Sequence, residues 1–121
     1  MARLLVVDDE APVREMLVTF LSDRGHSVEA AETGSAALAL AASVPFDCVF
    51  LDINMPVMNG IETLKELLRR NPEAVVIMIS GAGDEELAKQ ALDLGAADYI
   101  EKPFDGTYLD KVLILHLATA G

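Results

Sequence analysis

The sequence holds one cysteine, Cys48, among its 121 residues. A lone thiol cannot close an internal disulfide, and it excludes a CxxC metal or redox site. The fold needs neither. A chain of this length hides roughly two-thirds of its unfolded surface, enough for one core without cross-links. Basic residues are also few. Lys and Arg number 9 against 20 Asp and Glu, a formal net charge of −11. Nucleic-acid phosphates and anionic membranes repel such a chain, so neither is expected as a direct partner. A cation or a basic protein surface suits it better. Long apolar runs are missing as well. Mean hydropathy is +0.35, yet no run approaches the roughly 20 residues of a membrane-spanning helix. The run after Arg3 stops at Asp8, too short for a signal peptide. No linker or low-complexity tract divides the sequence. One acidic domain over residues 1–121 is expected, in the reducing cytoplasm.

What is present alternates short apolar runs with helical periods. Leu4 to Val7 is apolar without alternation, the mark of a strand covered on both faces. Pro12 suits a first helical turn, and Val13, Met16, Leu17, Phe20 and Leu21 follow at helical spacing before Gly25. Ser27 to Ala31 is a weaker strand, and its polar Glu29 points to a sheet edge. Gly34 to Val44 reads as helix, stopped by Pro45. Phe46 to Leu51 is the third strand. Ile61, Leu64, Leu67 and Leu68 mark the third helix, closed by Asn71-Pro72. Ala74 to Ile79 is the fourth strand, Asp84 to Leu94 a helix ended by Gly95, and Ala97 to Ile100 the fifth strand. Phe104 to about Ala118 is the fifth helix.

Five strand-helix units imply an α/β fold with a doubly wound parallel sheet. A flavodoxin-like (βα)5 arrangement in strand order 2-1-3-4-5 puts the weak second strand at an edge. Ligands in such sheets bind beyond the carboxyl ends of the strands. The first strand ends in Asp8-Asp9-Glu10, the third in Asp52, the fourth in Ser80-Gly81 and the fifth in Glu101-Lys102-Pro103. If Asp8, Asp9 and Asp52 converge, each pair at about 4 Å repels by roughly 4 kcal/mol at an effective dielectric near 20. Lys102 supplies one compensating charge, and a hard divalent ion such as Mg²⁺ would supply two more. Taken singly, each residue has a plainer reading. Acids after a strand often serve a helix N-terminus, and for Glu10 the helix cap is the preferred reading. The ordered set on four strand ends is what points to a site.

Val6-Val7-Asp8-Asp9-Glu10, Leu51-Asp52-Ile53-Asn54-Met55-Pro56, Gly60, Ile79-Ser80-Gly81, Gly95-Ala96-Ala97-Asp98-Tyr99 and Lys102-Pro103-Phe104 occur in that order. Across the whole chain this resembles a receiver domain of bacterial two-component response regulators, of the chemotaxis-regulator kind. The resemblance implies that Asp52 accepts a phosphoryl group from the histidine of a sensor kinase or phosphotransfer protein, with Mg²⁺ or Mn²⁺. It implies direct metal ligation by Asp9, ligation partly through water by Asp8, and contributions from Asp52 and the Asn54 backbone carbonyl. Ser80 would hydrogen-bond one phosphoryl oxygen and Lys102 would pair with another, aimed by a cis Lys102-Pro103 peptide. Tyr99 would be the aromatic switch, carrying the change to the face of the fourth helix, fifth strand and fifth helix, where a downstream effector binds. Gly81 and Gly83 would let the loop before the fourth helix rearrange.

Other residues have plain roles. Met16 and Met78 read as core filler, and Cys48 as an inert strand residue. Met55 and Met58 flank the site and suit loop packing or a partner contact. His26 and His116 lack a second ligand nearby in sequence. Arg69-Arg70 is a helix-end pair favourable to the dipole. The fifth helix is more apolar than one core face needs, so its surplus is expected to meet an effector, a second copy of the chain or a further domain. Only Lys111 is basic on it. No effector segment follows, so the chain is expected to be a stand-alone receiver or one separated from its output.

Two further readings have distinct requirements. A haloacid-dehalogenase-like phosphatase needs a second acid two residues after the nucleophile, where Asn54 stands, and a threonine where Pro56 stands. A phosphorylation-independent interaction module of receiver fold would usually have lost an acid or the lysine, and all are kept here. The receiver reading makes the protein no enzyme beyond its own phosphorylation and dephosphorylation.

Overall fold

The apolar runs become five parallel strands in one sheet, ordered β2-β1-β3-β4-β5. The computed structural model describes residues 2–55 and 59–117. Its elements are β1 (Arg3–Val7), α1 (Ala11–Asp23), β2 (Ser27–Ala31), α2 (Gly34–Ser43), β3 (Cys48–Asp52), α3 (Gly60–Arg70), β4 (Val76–Ser80), α4 (Glu85–Leu94), β5 (Asp98–Glu101) and α5 (Gly106–Leu117). This is the doubly wound (βα)5 fold expected from the sequence. Every residue of β3 and β4 is buried, because helices cover both faces of the central strands. β2 lies at the edge with Glu29 exposed.

Successive strand residues point to opposite faces, and this splits the core in two. Leu4, Val6, Phe50, Ile77 and Ile79 pack on Leu17 and Leu21 of α1 and on Leu109, Val112 and Leu113 of α5. Leu5, Val7, Leu51 and Met78 pack on Ala37 of α2, Leu64 of α3 and Ala88 of α4. Each fully buried Leu or Ile contributes about 1.5–3 kcal/mol. Local chemistry starts and stops the helices. Pro12 sits in the first turn of α1. A capping box joins Asn59 and Glu62 at the start of α3. Gly95 ends α4.

Some sequence expectations shift. β3 begins at Cys48, not Phe46, because the ladder with β1 starts at the Leu4–Cys48 pair. Asp47 is spent on Arg3: its N–H donates to the Arg3 carbonyl at 2.7 Å and its carboxylate accepts from the Arg3 N–H at 2.8 Å. β4 begins at Val76, since the Ala74 N–H closes a turn on the Asn71 carbonyl. β5 is displaced by one residue and pairs Asp98 through Glu101 with Ile77 through Ser80. α2 ends at Ser43 with Val44 as its cap. α5 starts at Gly106 rather than Phe104, where Asp105 accepts the Tyr108 N–H. Met16 is 43% exposed and not core filler, because α1 turns Leu17 and Leu21 inward. Met78 is fully buried, as expected. The expectations for Pro56, Met58 and Ala118 lie outside the described residues. Among the described residues no helix is long and apolar enough to cross a membrane.

Candidate functional site

Parallel pairing brings the carboxyl ends of all five strands to one edge of the sheet. Asp8 and Asp9 leave β1, Asp52 ends β3, Ser80 ends β4, and Lys102 follows β5. Asp8 is fully buried and Asp52 is 3% exposed. One carboxylate oxygen from each of Asp8, Asp9 and Asp52 lies within 4.8 Å of the others. At that separation two full charges repel by about 3.5 kcal/mol at an effective dielectric near 20. The predicted convergence of the three acids is therefore present.

Backbone donors and one cation relieve part of this repulsion. Asp8 Oδ1 accepts the Glu10 N–H at 2.9 Å, and Asp52 Oδ1 accepts the Asn54 N–H at 3.2 Å. Lys102 Nζ lies 3.5 Å from Asp8 Oδ2, 3.9 Å from Asp52 Oδ2 and 3.0 Å from Glu10 Oε1. Its peptide to Pro103 is cis. Burial and the neighbouring Asp8 push the Asp52 carboxyl up to about 7, while the Asn54 N–H and Lys102 pull it down. Burial works against the Lys102 ammonium, yet the Glu10 hydrogen bond and the Asp52 and Asp8 charges hold it above its ordinary value. Among the described residues, Asp8 Oδ2 is buried without a hydrogen-bond partner. An orphaned carboxylate oxygen beside two further carboxylates is a donor set suited to a hard, oxygen-seeking divalent cation.

Glu10 does not act as the expected cap. It stands at the N-cap of α1 but makes no side-chain capping bond. Its carboxylate goes to Lys102 instead, a partner 92 residues away in sequence. Ser80 lies one step beyond Ile79, the ladder partner of Asp52. Among the described residues, its buried hydroxyl makes only a long 3.4 Å bond to the Ile100 carbonyl. Tyr99 is the ladder partner of Met78 and half-buried against the α4 side of the sheet. Met78 and Ser80 share that face, being two residues apart.

Three residues escaped the sequence reading. Arg14 donates to the Asp8 carbonyl at 2.7 Å and lies 3.7 Å from Glu32, tying down the loop that carries Asp9. Asp84, 8% exposed, accepts from the Asn54 side-chain amide at 3.2 Å and from the Gly81 N–H at 2.9 Å. It joins the loop after β3 to the loop after β4. Gly60, quoted only as a motif residue, lies so close to the Asp52 carbonyl that any Cβ would overlap it. A polar residue at a helix start is too ordinary to flag Asp84, and Arg14 is six residues from Asp8 with no motif linking them.

The plain readings mostly hold. Burial pushes the Cys48 thiol up to about 12, so it stays an unreactive thiol. Met55 is 7% exposed and packs in the core. His116 pairs with Asp98 at 2.9 Å, and His26 accepts the Ala2 N–H at 3.1 Å. Arg69 and Arg70 both pair with Glu66, and Arg70 also donates to the Leu38 carbonyl. Ile114 and Leu115 of α5 are 68% and 62% exposed, the apolar surplus expected there.

Comparison with known proteins agrees with this geometry. The family model described as the response regulator receiver domain matches residues 4–114. The transcriptional regulatory protein FixJ of Azorhizobium caulinodans is 46% identical over 102 residues, covering 83% of this chain and 47% of FixJ. The chemotaxis protein CheY of Listeria monocytogenes is 40% identical over 114 residues and covers 93% of each chain. The crystal structure of the receiver domain of NtrX from Brucella abortus superposes with a TM-score of 0.92 at 40% identity, covering 96% of this chain and 98% of that one. The chain spans less than half the length of the first curated relatives it matches. With the strand order and the strand-end acids in place, the chain belongs to the response regulator receiver domains, the phosphoacceptor modules of two-component signalling.

Proposed function

We propose that residues 1–121 act as one receiver domain in which Asp52 is phosphorylated by the phosphohistidine of a sensor kinase or phosphotransfer protein. The buried trio of Asp8, Asp9 and Asp52 beside Lys102 carries this reading. An Asp52 oxygen attacks phosphorus, the P–N bond to the imidazole breaks, and its electron pair returns to the ring. The protein supplies position and charge rather than covalent chemistry of its own. Asp8, Asp9, Asp52 and the Asn54 backbone carbonyl are the groups that would hold Mg²⁺ or Mn²⁺. Bound there, the ion would neutralise the carboxylates and the incoming phosphoryl oxygens. Lys102 pairs with one phosphoryl oxygen. The Ser80 hydroxyl gives up its long bond to Ile100 and donates to another.

The same groups serve self-catalysed phosphorylation from small donors and hydrolysis of the product; turnover of other substrates is not expected. Output runs through the α4-β5-α5 face, where Tyr99, Phe104 and Tyr108 line a cavity of about 530 Å³. Gly83 in the β4–α4 loop holds a φ of +89°, a conformation that glycine adopts without strain. A downstream effector domain or protein is the partner of that face, with a second copy of the chain as an alternative occupant. A cytoplasmic location goes with such partners. The test is intact mass after incubation with acetyl phosphate and Mg²⁺. A phosphoryl adduct on the wild type and none on Asp52→Asn is expected. Undiminished labelling of Asp52→Asn would overturn the assignment, and absence of any adduct on the wild type would favour the phosphorylation-independent module.

A further inference from the structure

Lys102 is hydrogen-bonded to the wrong group for the chemistry proposed for it. Its ammonium has three N–H donors and faces Glu10 at 3.0 Å, Asp8 at 3.5 Å and Asp52 at 3.9 Å. Among the described residues, only the Glu10 contact is a hydrogen bond; the ammonium lies too far from Asp52 to make one. The three carboxylates also differ in exposure. The Glu10 side chain is 60% exposed, whereas that of Asp52 is 4% exposed and that of Asp8 fully buried. Water can replace Lys102 at Glu10 cheaply, but not at the two buried acids. Glu10 is free for this role because it makes no capping bond to α1.

We infer that Glu10 is a positioning residue that holds Lys102 away from Asp52 in the resting domain and must release it when Asp52 is phosphorylated. The inference rests on the reading of Asp52 as phosphoacceptor and Lys102 as its phosphoryl partner. An interaction made in one state only biases the equilibrium toward that state. The Glu10–Lys102 bond belongs to the resting state, so it opposes the phosphorylated one. Exposed ion pairs of this kind correspond to about a 1.5- to 5-fold change in an equilibrium constant. Removing the Glu10 charge should favour the phosphorylated state by that factor. The backbone bond from the Glu10 N–H to Asp8 is untouched by a side-chain change.

The experiment titrates the full chain with beryllofluoride, a phosphoryl mimic, at fixed Mg²⁺, following amide chemical shifts. Glu10→Gln should bind the mimic about 1.5- to 5-fold more tightly than wild type. Glu73→Gln is the control for net charge. Glu73 is exposed in the loop before β4, at the sheet edge opposite the site, so this variant should bind as wild type does. In the wild type the Glu10 side-chain carboxyl resonance should move as the mimic binds, reporting loss of Lys102. Wild-type or weaker affinity in Glu10→Gln, equal tightening in Glu73→Gln, or a stationary Glu10 carboxyl resonance would each overturn the inference. Lys102→Ala and Asp52→Asn separate that failure from failure of the site. Both should lose most of their affinity for the mimic, and wild-type binding by either would overturn the site reading itself.

Discussion

Asp52→Asn should stabilise the metal-free protein, although it removes a residue at the centre of the site. Asp8 and Asp9 each present an oxygen within 4.8 Å of one on Asp52. At an effective dielectric near 20 the two repulsions total about 7 kcal/mol. Lys102, at 3.9 Å, returns about 4 kcal/mol. The ionised Asp52 side chain is thus opposed by about 3 kcal/mol, before the cost of burying its charge. Asparagine keeps an oxygen to accept the Asn54 N–H and carries no charge. Around pH 8, a gain of about 1–3 kcal/mol should follow, a rise in melting temperature of roughly 5–10 °C for a domain of this size. Its pH dependence has a definite sign. The Asp52 carboxyl is raised from 3.8 to about 7 in the folded state, so the folded protein takes up the proton more readily than the unfolded chain. The associated stability is present in full below about pH 4 and is lost as the pH rises through about 7. In thermal scans with EDTA, wild type should lose more stability than Asp52→Asn between pH 4 and 8. A variant no more stable than wild type at pH 8, or one with the same pH slope, would refute this account of the site.

Adding Mg²⁺ should raise the wild-type melting temperature, by about 2.7 kcal/mol of stability at a hundred times the dissociation constant. Asp9→Ala should remove most of that shift and Asp8→Ala nearly as much; an undiminished shift in both would exclude these ligands. Gly60→Ala should cost about 1–3 kcal/mol in urea unfolding, because the new methyl overlaps the Asp52 carbonyl; a neutral substitution would show that the β3–α3 loop yields freely. Ser80→Ala should still be phosphorylated but should no longer transmit the change. Beryllofluoride should then alter amide exchange around Asp52 while the Tyr99 face stays silent, and a full response there would rule out the Ser80 route.

The sequence exposes those parts of the structure whose cause is local. The continuous apolar runs of β1, β3 and β4 mark strands covered on both faces, and Glu29 marks β2 as an edge. The strand order 2-1-3-4-5 fits these marks, and it brings Asp8, Asp9, Asp52 and Lys102 together at one edge. Strand starts were less legible, because they depend on a neighbouring ladder. Phe46 is as apolar as a strand residue should be, but its register has no partner beyond Leu4. Met16 looks like core by composition, yet Leu17 and Leu21 take the inward positions. Glu10, Arg14 and Asp84 were misread or missed for one reason: their partners are set by the folded edge. Glu10 meets Lys102 from the far end of the chain, and Asp84 reaches Asn54 across two loops.

The distribution of charge over the strands would also give a signal at Asp52 a direction. The carboxylates come from β1 and β3, while the hydroxyl and the ammonium come from the ends of β4 and β5. Negative charge added at Asp52 repels the first set and attracts the second. The β1–α1 loop is also anchored, with Arg14 on the Asp8 carbonyl and the Glu10 N–H on the Asp8 carboxylate. Among the described residues, the Ser80 hydroxyl makes one long hydrogen bond and the Lys102 ammonium makes its hydrogen bond to an exposed acid. The groups free to approach the new charge therefore lie on the half of the sheet next to α4 and α5. Movement of Ser80 disturbs the face it shares with Tyr99, and movement of Lys102 draws on the segment leading into α5. A receiver whose acids sat on β4 and β5 would move the opposite edge. With Asp52 as the proposed phosphoacceptor, the placement of one cation and one hydroxyl on the last two strands would send the response toward α4, β5 and α5.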